Sequence, residues 1–86
     1  MNPPVVMVQW EDAKVMDDGP WASNKGHDYS PHIVFQVGFL LSDTEQGVIL
    51  SQGWHPDIVA ARDQIPRGMI RSITYLEPVK AKKKAK

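Results

Sequence analysis

The chain has 86 residues, with ten Lys and Arg against ten Asp and Glu, and no cysteine. A chain this short makes one small domain that buries a modest share of its surface and gains from oligomerisation. The lack of cysteine excludes a disulfide framework and a thiolate metal site, and an intracellular, cytoplasmic protein is the expectation.

The balanced charge hides a division. Residues 1–79 hold all ten acidic residues with Lys14, Lys25, Arg62, Arg67 and Arg71, a net −5, and Lys80, Lys82, Lys83, Lys84 and Lys86 return +5. A negative body is a poor general surface for nucleic acid, because phosphate affinity comes from clustered Lys and Arg. Residues 1–79 read as one domain and 80–86 as a disordered lysine-rich tail, which solubilises or lends phosphate affinity. No apolar run approaches the ~20 residues of a membrane helix, so no membrane partner is expected. Pro3 and Pro4 stand where a secretory signal would be basic and apolar.

In chain order, residues 4–11 read as a first strand, with Val6, Val8 and Trp10 on one face. Met16 to Pro31 is dense in turn formers (Asp17, Asp18, Gly19, Pro20, Asn24, Gly26, Pro31) and predicts a long loop carrying Trp21, His27 and Tyr29. His32 to Trp54 reads as the organising hairpin. Ile33, Phe35, Val37, Phe39 and Leu41 recur by twos, which predicts that this face is spent on the core. Asp43 to Gln46 form the turn, Gly47 takes φ > 0, and Val48, Ile49 and Leu50 return the chain. Gly53, Trp54, His55 and Pro56 break the pattern. Residues 57–64 read either as a capped helical turn or as a short strand, with Pro66 ending either. Pro66 to Gly68 form a tight turn, and Met69 to Leu76 read as the last strand. The fold class is mainly β, a small, strongly bent sheet or barrel of about five strands with a long loop after the first.

Chemistry-bearing constellations are sparse. His27, His32 and His55 show no metal spacing, and no nucleophile–base ordering or phosphate-cradling glycine loop appears. Glu11-Asp12 and Asp17-Asp18 read as solvated charge. Neither an enzyme, nor a metal, nor a cofactor is expected. The candidates lie elsewhere. Trp21, Tyr29 and Trp54 are aromatics suited to stacking on a base or planar ligand, or else to plugging the sheet's ends and subunit contacts. Arg62, Arg67 and Arg71 surround the Pro66–Gly68 turn and suit phosphates, or else pair with Asp57, Asp63 or Glu77.

Ile65-Pro66-Arg67-Gly68-Met69-Ile70-Arg71-Ser72-Ile73 resembles the second signature of Sm-like proteins, and Val37-Gly38-Phe39-Leu40-Leu41 before Asp43 is similar to the central strands of the first. Val-x-Trp-x-Asp-Ala over Val8 to Ala13, a loop tryptophan, Val-Gly-Phe, and Ile-Pro-x-x-x-Ile-x-x-Ile-x-x-Leu over Ile65 to Leu76 also resemble small proteins of tailed bacteriophages. The resemblance implies an Sm-like or SH3-like barrel whose edge strands assemble into a homo-oligomeric ring. It further implies a non-enzymatic, phage-type binding protein that sequesters a small anionic nucleotide-like ligand, in the manner of an anti-defence sponge. Its contacts would be Trp21, Tyr29 and Trp54 for stacking and Arg62, Arg67 and Arg71 for phosphates. RNA or single-stranded nucleic-acid binding, or inhibition of a host protein, is the alternative.

Overall fold

The computed structural model describes residues 2–13, 21, 24–27 and 29–79. The expected loop over residues 16–31 lies partly, and the lysine tail 80–86 wholly, outside the described residues. Five strands follow one another: β1 (Val5–Asp12), β2 (His32–Thr44), β3 (Gly47–Trp54), β4 (Val59–Pro66) and β5 (Ile70–Leu76), with a 3-10 turn at Arg67–Met69 before β5. The central hairpin and the last strand thus stand where hydrophobic alternation put them. The ambiguous residues 57–64 become strand from Val59, which runs on through Pro66, and β3 runs through Gly53 and Trp54 instead of breaking there.

All pairings are antiparallel in a single sheet of order β4-β3-β2-β1-β5. The sheet is open, so of the bent sheet or barrel expected, the closed barrel is not formed. The cause is the turn Arg67–Met69, which carries the chain away from β4 and across to β1, so β4 and β5 are left as two unjoined edges.

The sheet curls instead. β2 pairs with β1 over His32 to Phe39 and with β3 from Phe39 to Thr44, so it changes partner at Phe39. A register shift between Leu40 and Ser42 adds a local bend, as bulges do. The curl gathers Val6, Val8, Leu40, Val48, Leu50 and Ile65, from four strands, into one buried cluster, with Trp10, Ile70 and Ile73 packed against it. A flat sheet would hold β4 and β5 too far apart to share a core. Side chains stitch the concave side as well. Trp10 Nε1 donates to Gln36 Oε1 at 3.2 Å, and Gln36 Nε2 donates to Asp63 Oδ2 at 2.7 Å, linking β1, β2 and β4 over the top of β3.

Over Val34 to Gly38 the core face of β2 is the reverse of the one its alternation suggested, while Ile33, Phe39 and Leu41 are half-buried. Phe35 is 62% exposed and Val37 55%, whereas Gly38 and Leu40 are buried and Val34 and Gln36 half-buried. The β1 register decides this: fully buried Val6 and Val8 stand beside Gly38 and Gln36, and half-buried Met7 stands beside Val37. Small and polar residues occupy the inner face because the curl crowds it. A Cβ at position 38 would lie 2.9 Å from the Ser51 carbonyl oxygen, and the Gln36 amide is held by its two partners.

One backbone strain sits on the open edge. Ala61, in the middle of β4, has φ of 53°, the left-handed region that costs a non-glycine residue about 1–2 kcal/mol. Ala61→Gly is therefore expected to stabilise the fold by about 0.5–1 kcal/mol, the relieved strain outweighing the extra freedom glycine gives the unfolded chain. Urea denaturation measures this, and a loss of stability would show that the kink carries no strain.

Candidate functional site

The six expected contact residues do not converge within one copy. Arg67 belongs to the hairpin turn. Its guanidinium forms an ion pair with Asp43, its Nε donates to the Thr44 carbonyl at 3.2 Å, and its amide donates to the Gln46 carbonyl at 3.0 Å. These bonds pin the turn after β4 onto the turn after β2, so this arginine staples two chain reversals. A hollow of about 420 Å³ at the same hairpin turn has Thr44, Glu45 and Gln46 in its lining, and the Glu45 carboxylate disfavours an anion there. Arg71 lies on β5, where its Nη1 is 3.5 Å from Glu11 Oε1 on β1, an exposed pair of small energetic weight. Arg62 lies exposed on the β4 edge, in register with Ser51, and among the described residues it has no ion-pair partner. The expected pairing of arginines with acids thus exists for two of the three, through Asp43 and Glu11 and not through Asp57, Asp63 or Glu77.

The aromatics also separate. Trp21 and Tyr29 are almost fully exposed in the connection between β1 and β2. His27 and Tyr29 meet edge-to-face at 6.4 Å, so the tyrosine has a ring neighbour but no core beneath it. Trp54, half-buried at the end of β3, lines a shallow hollow of about 180 Å³ with Gly53, His55, Ile58, Val59 and Ala60. The segment closing this hollow is rigidly made. The His55 amide donates to the Ile58 carbonyl at 2.9 Å, and the Asp57 amide donates to His55 Nδ1 at 3.1 Å. That second bond ties the imidazole to the turn, the way an Asx side chain organises one.

Reading by residue type missed Ile58 and Tyr75. Ile58 is 71% exposed at the rim of that hollow, and Tyr75 is 58% exposed near the end of β5. Tyr75 looked like an ordinary strand former and Ile58 lay in the stretch left open between helix and strand, and only the strand order puts Tyr75 on one open edge and Ile58 just before the other. Ser51 Oγ is buried without a hydrogen-bond partner among the described residues, between Phe39 on β2 and Arg62 on β4. Among the described residues no three His, Asp or Glu side chains group as a metal site, and no helix is long and apolar enough to cross a membrane. Comparison with protein-family models, with curated proteins and with solved structures finds no match for this chain.

Proposed function

We propose that this is a non-enzymatic binding protein that works as a homo-oligomeric ring and holds a small anionic, nucleotide-like ligand at the seams between copies. The observation that carries the reading is the pair of open edges on one small sheet, β4 bearing Arg62 and β5 bearing Arg71. Unpaired edges template further strands, and pairing with copies of the same chain is one way to cover two of them. Pairing β4 of one copy with β5 of the next brings arginines that lie apart in one chain to a shared boundary, where their planar forks suit phosphate groups. A strand order in which β5 returns to β1 supports the Sm-like reading of the fold. Arg67, spent on Asp43 and Thr44, falls out of the proposed contacts. Trp21 and Tyr29, both exposed, supply stacking where a neighbouring copy or the ligand meets them. Sequestration of a nucleotide signal by a phage-type protein is the biological role this reading proposes.

Native mass spectrometry of freshly purified protein is expected to show a closed oligomer with bound mass. Calorimetry against cyclic di- and trinucleotides is expected to give saturable binding that Arg62→Ala and Arg71→Ala each weaken about tenfold or more, the loss of one charge-assisted hydrogen bond of about 1.5–3 kcal/mol. A monomer that releases no heat with any nucleotide sinks the proposal. Steeply salt-dependent oligonucleotide binding that disappears with residues 80–86 would favour the nucleic-acid alternative.

A further inference from the structure

We infer that the hollow at the β3–β4 connection is a socket for Tyr75 of a second copy, so that the seam joins a pocket on one edge to a knob on the other. This rests on the edge-to-edge assembly proposed above and names what makes it directional. The hollow, about 180 Å³, is smaller than the ~300–1,000 Å³ of small-molecule sites, so it takes a side chain rather than a nucleotide. Its walls are Trp54, Ile58 and Val59, largely apolar, and the hydrogen bonds of His55 hold it open without a packed layer above. Preorganised apolar concavities at the start of an open edge strand are what strand-addition partners fill with alternate side chains.

The matching convexity lies on the other edge. Tyr75 and Leu76 end β5, are 58% and 40% exposed, and have no strand beyond them. Antiparallel addition of β5 from a second copy onto β4 sets the last residues of β5 beside the first of β4. Trp54 already stands beside Val59 across the β3–β4 ladder. Tyr75 of the second copy, placed beside Val59, extends that row by one strand and lies over the hollow. The same antiparallel pairing brings the Arg71 end of the second copy's β5 to the stretch of β4 that bears Arg62 and Asp63. Parallel addition does neither, because it brings Tyr75 and Leu76 to the Gln64–Pro66 end of β4, away from the hollow at Trp54, Ile58 and Val59, and the proline offers no N–H. Two-fold pairing of β4 with β4, or β5 with β5, leaves every knob and every socket unfilled. An unlike pair of surfaces is heterologous, and repetition builds a ring when its rotation closes.

The test uses two full-length variants at exposed positions, Tyr75→Asp without the knob and Ile58→Asp without the socket, both checked by far-UV circular dichroism. Native mass spectrometry is expected to show the wild type as a closed oligomer and each variant alone as a monomer. An equimolar mixture is expected to give a one-to-one heterodimer and nothing larger, since one intact knob and one intact socket remain. If either variant alone keeps the wild-type assembly, or the mixture gives no heterodimer, the socket is wrong while the assembly stands. A wild type that is monomeric at every concentration overturns both readings. A benzophenone side chain at position 75 of the otherwise intact protein provides a second measurement. Crosslinking to residues 53–60 of another copy supports the socket, and capture elsewhere overturns it.

Discussion

Gly47→Ala is expected to destabilise the fold by about 3 kcal/mol or more, a large part of what holds a domain this small together. Two independent effects add at this position. Its φ is +149°, a conformation L side chains rarely adopt, so the backbone itself resists any other residue. Space is also missing: a Cβ there would lie 2.2 Å from the Ile65 carbonyl oxygen and 3.0 Å from Pro66 Cα. Both atoms belong to the β4 backbone, and Gly47 and Pro66 are paired across the ladder, so neither can swing aside as a side-chain tip would. Displacing them would also disturb Arg67, the next residue, whose bonds to Asp43, Thr44 and Gln46 clasp the two turns. Gly68→Ala is the control, since nothing lies within 4 Å of a Cβ built there. Urea melts of the two variants should differ by most of the stated amount. Equal midpoints would mean that the approach of β4 to the hairpin turn is looser than described.

Gly47 also marks what residue patterns convey. A glycine after Asp-Thr-Glu-Gln between two apolar runs announces a chain reversal, and the reversal lies there. The pattern could not convey that the β4 backbone crosses directly behind it, because that contact joins residues far apart in sequence. Residues 57–64 were ambiguous for a related reason. β4 is an open edge with only Ile65 buried, so it has no alternating apolar face to announce a strand. The candidate site was less legible still. Arginine spacing shows three cations near one turn, but it does not distinguish Arg67, bonded into that turn, from Arg62, exposed on an edge. Side-chain exposure on opposite edges, as for Ile58 and Tyr75, depends on strand order, which local pattern leaves open.

The sharpest departure from pattern is the inner face of β2, and a pair of substitutions tests it. Leu40→Ala is expected to cost about 2–4 kcal/mol, as removal of a buried leucine side chain does when its surroundings relax only partly. Leu40 joins the core cluster from beside Leu50 on β3, and its amide donates to the Pro4 carbonyl at 2.8 Å, so the site is anchored and cannot easily collapse. Phe35→Ser is expected to cost at most about 1 kcal/mol in dilute protein, the span of strand propensity at a solvent-facing position. Simple alternation ranks the two the other way, because it places the larger and more apolar Phe35 inside. Denaturation at equal, low concentration decides between them. A Phe35→Ser loss exceeding that of Leu40→Ala would turn β2 over, and the Trp10–Gln36–Asp63 chain, which needs Gln36 on the concave side, would turn over with it. With Leu40 inside, Phe35 and Val37 remain an apolar outer face beside Met7, which strand alternation would have hidden in the core.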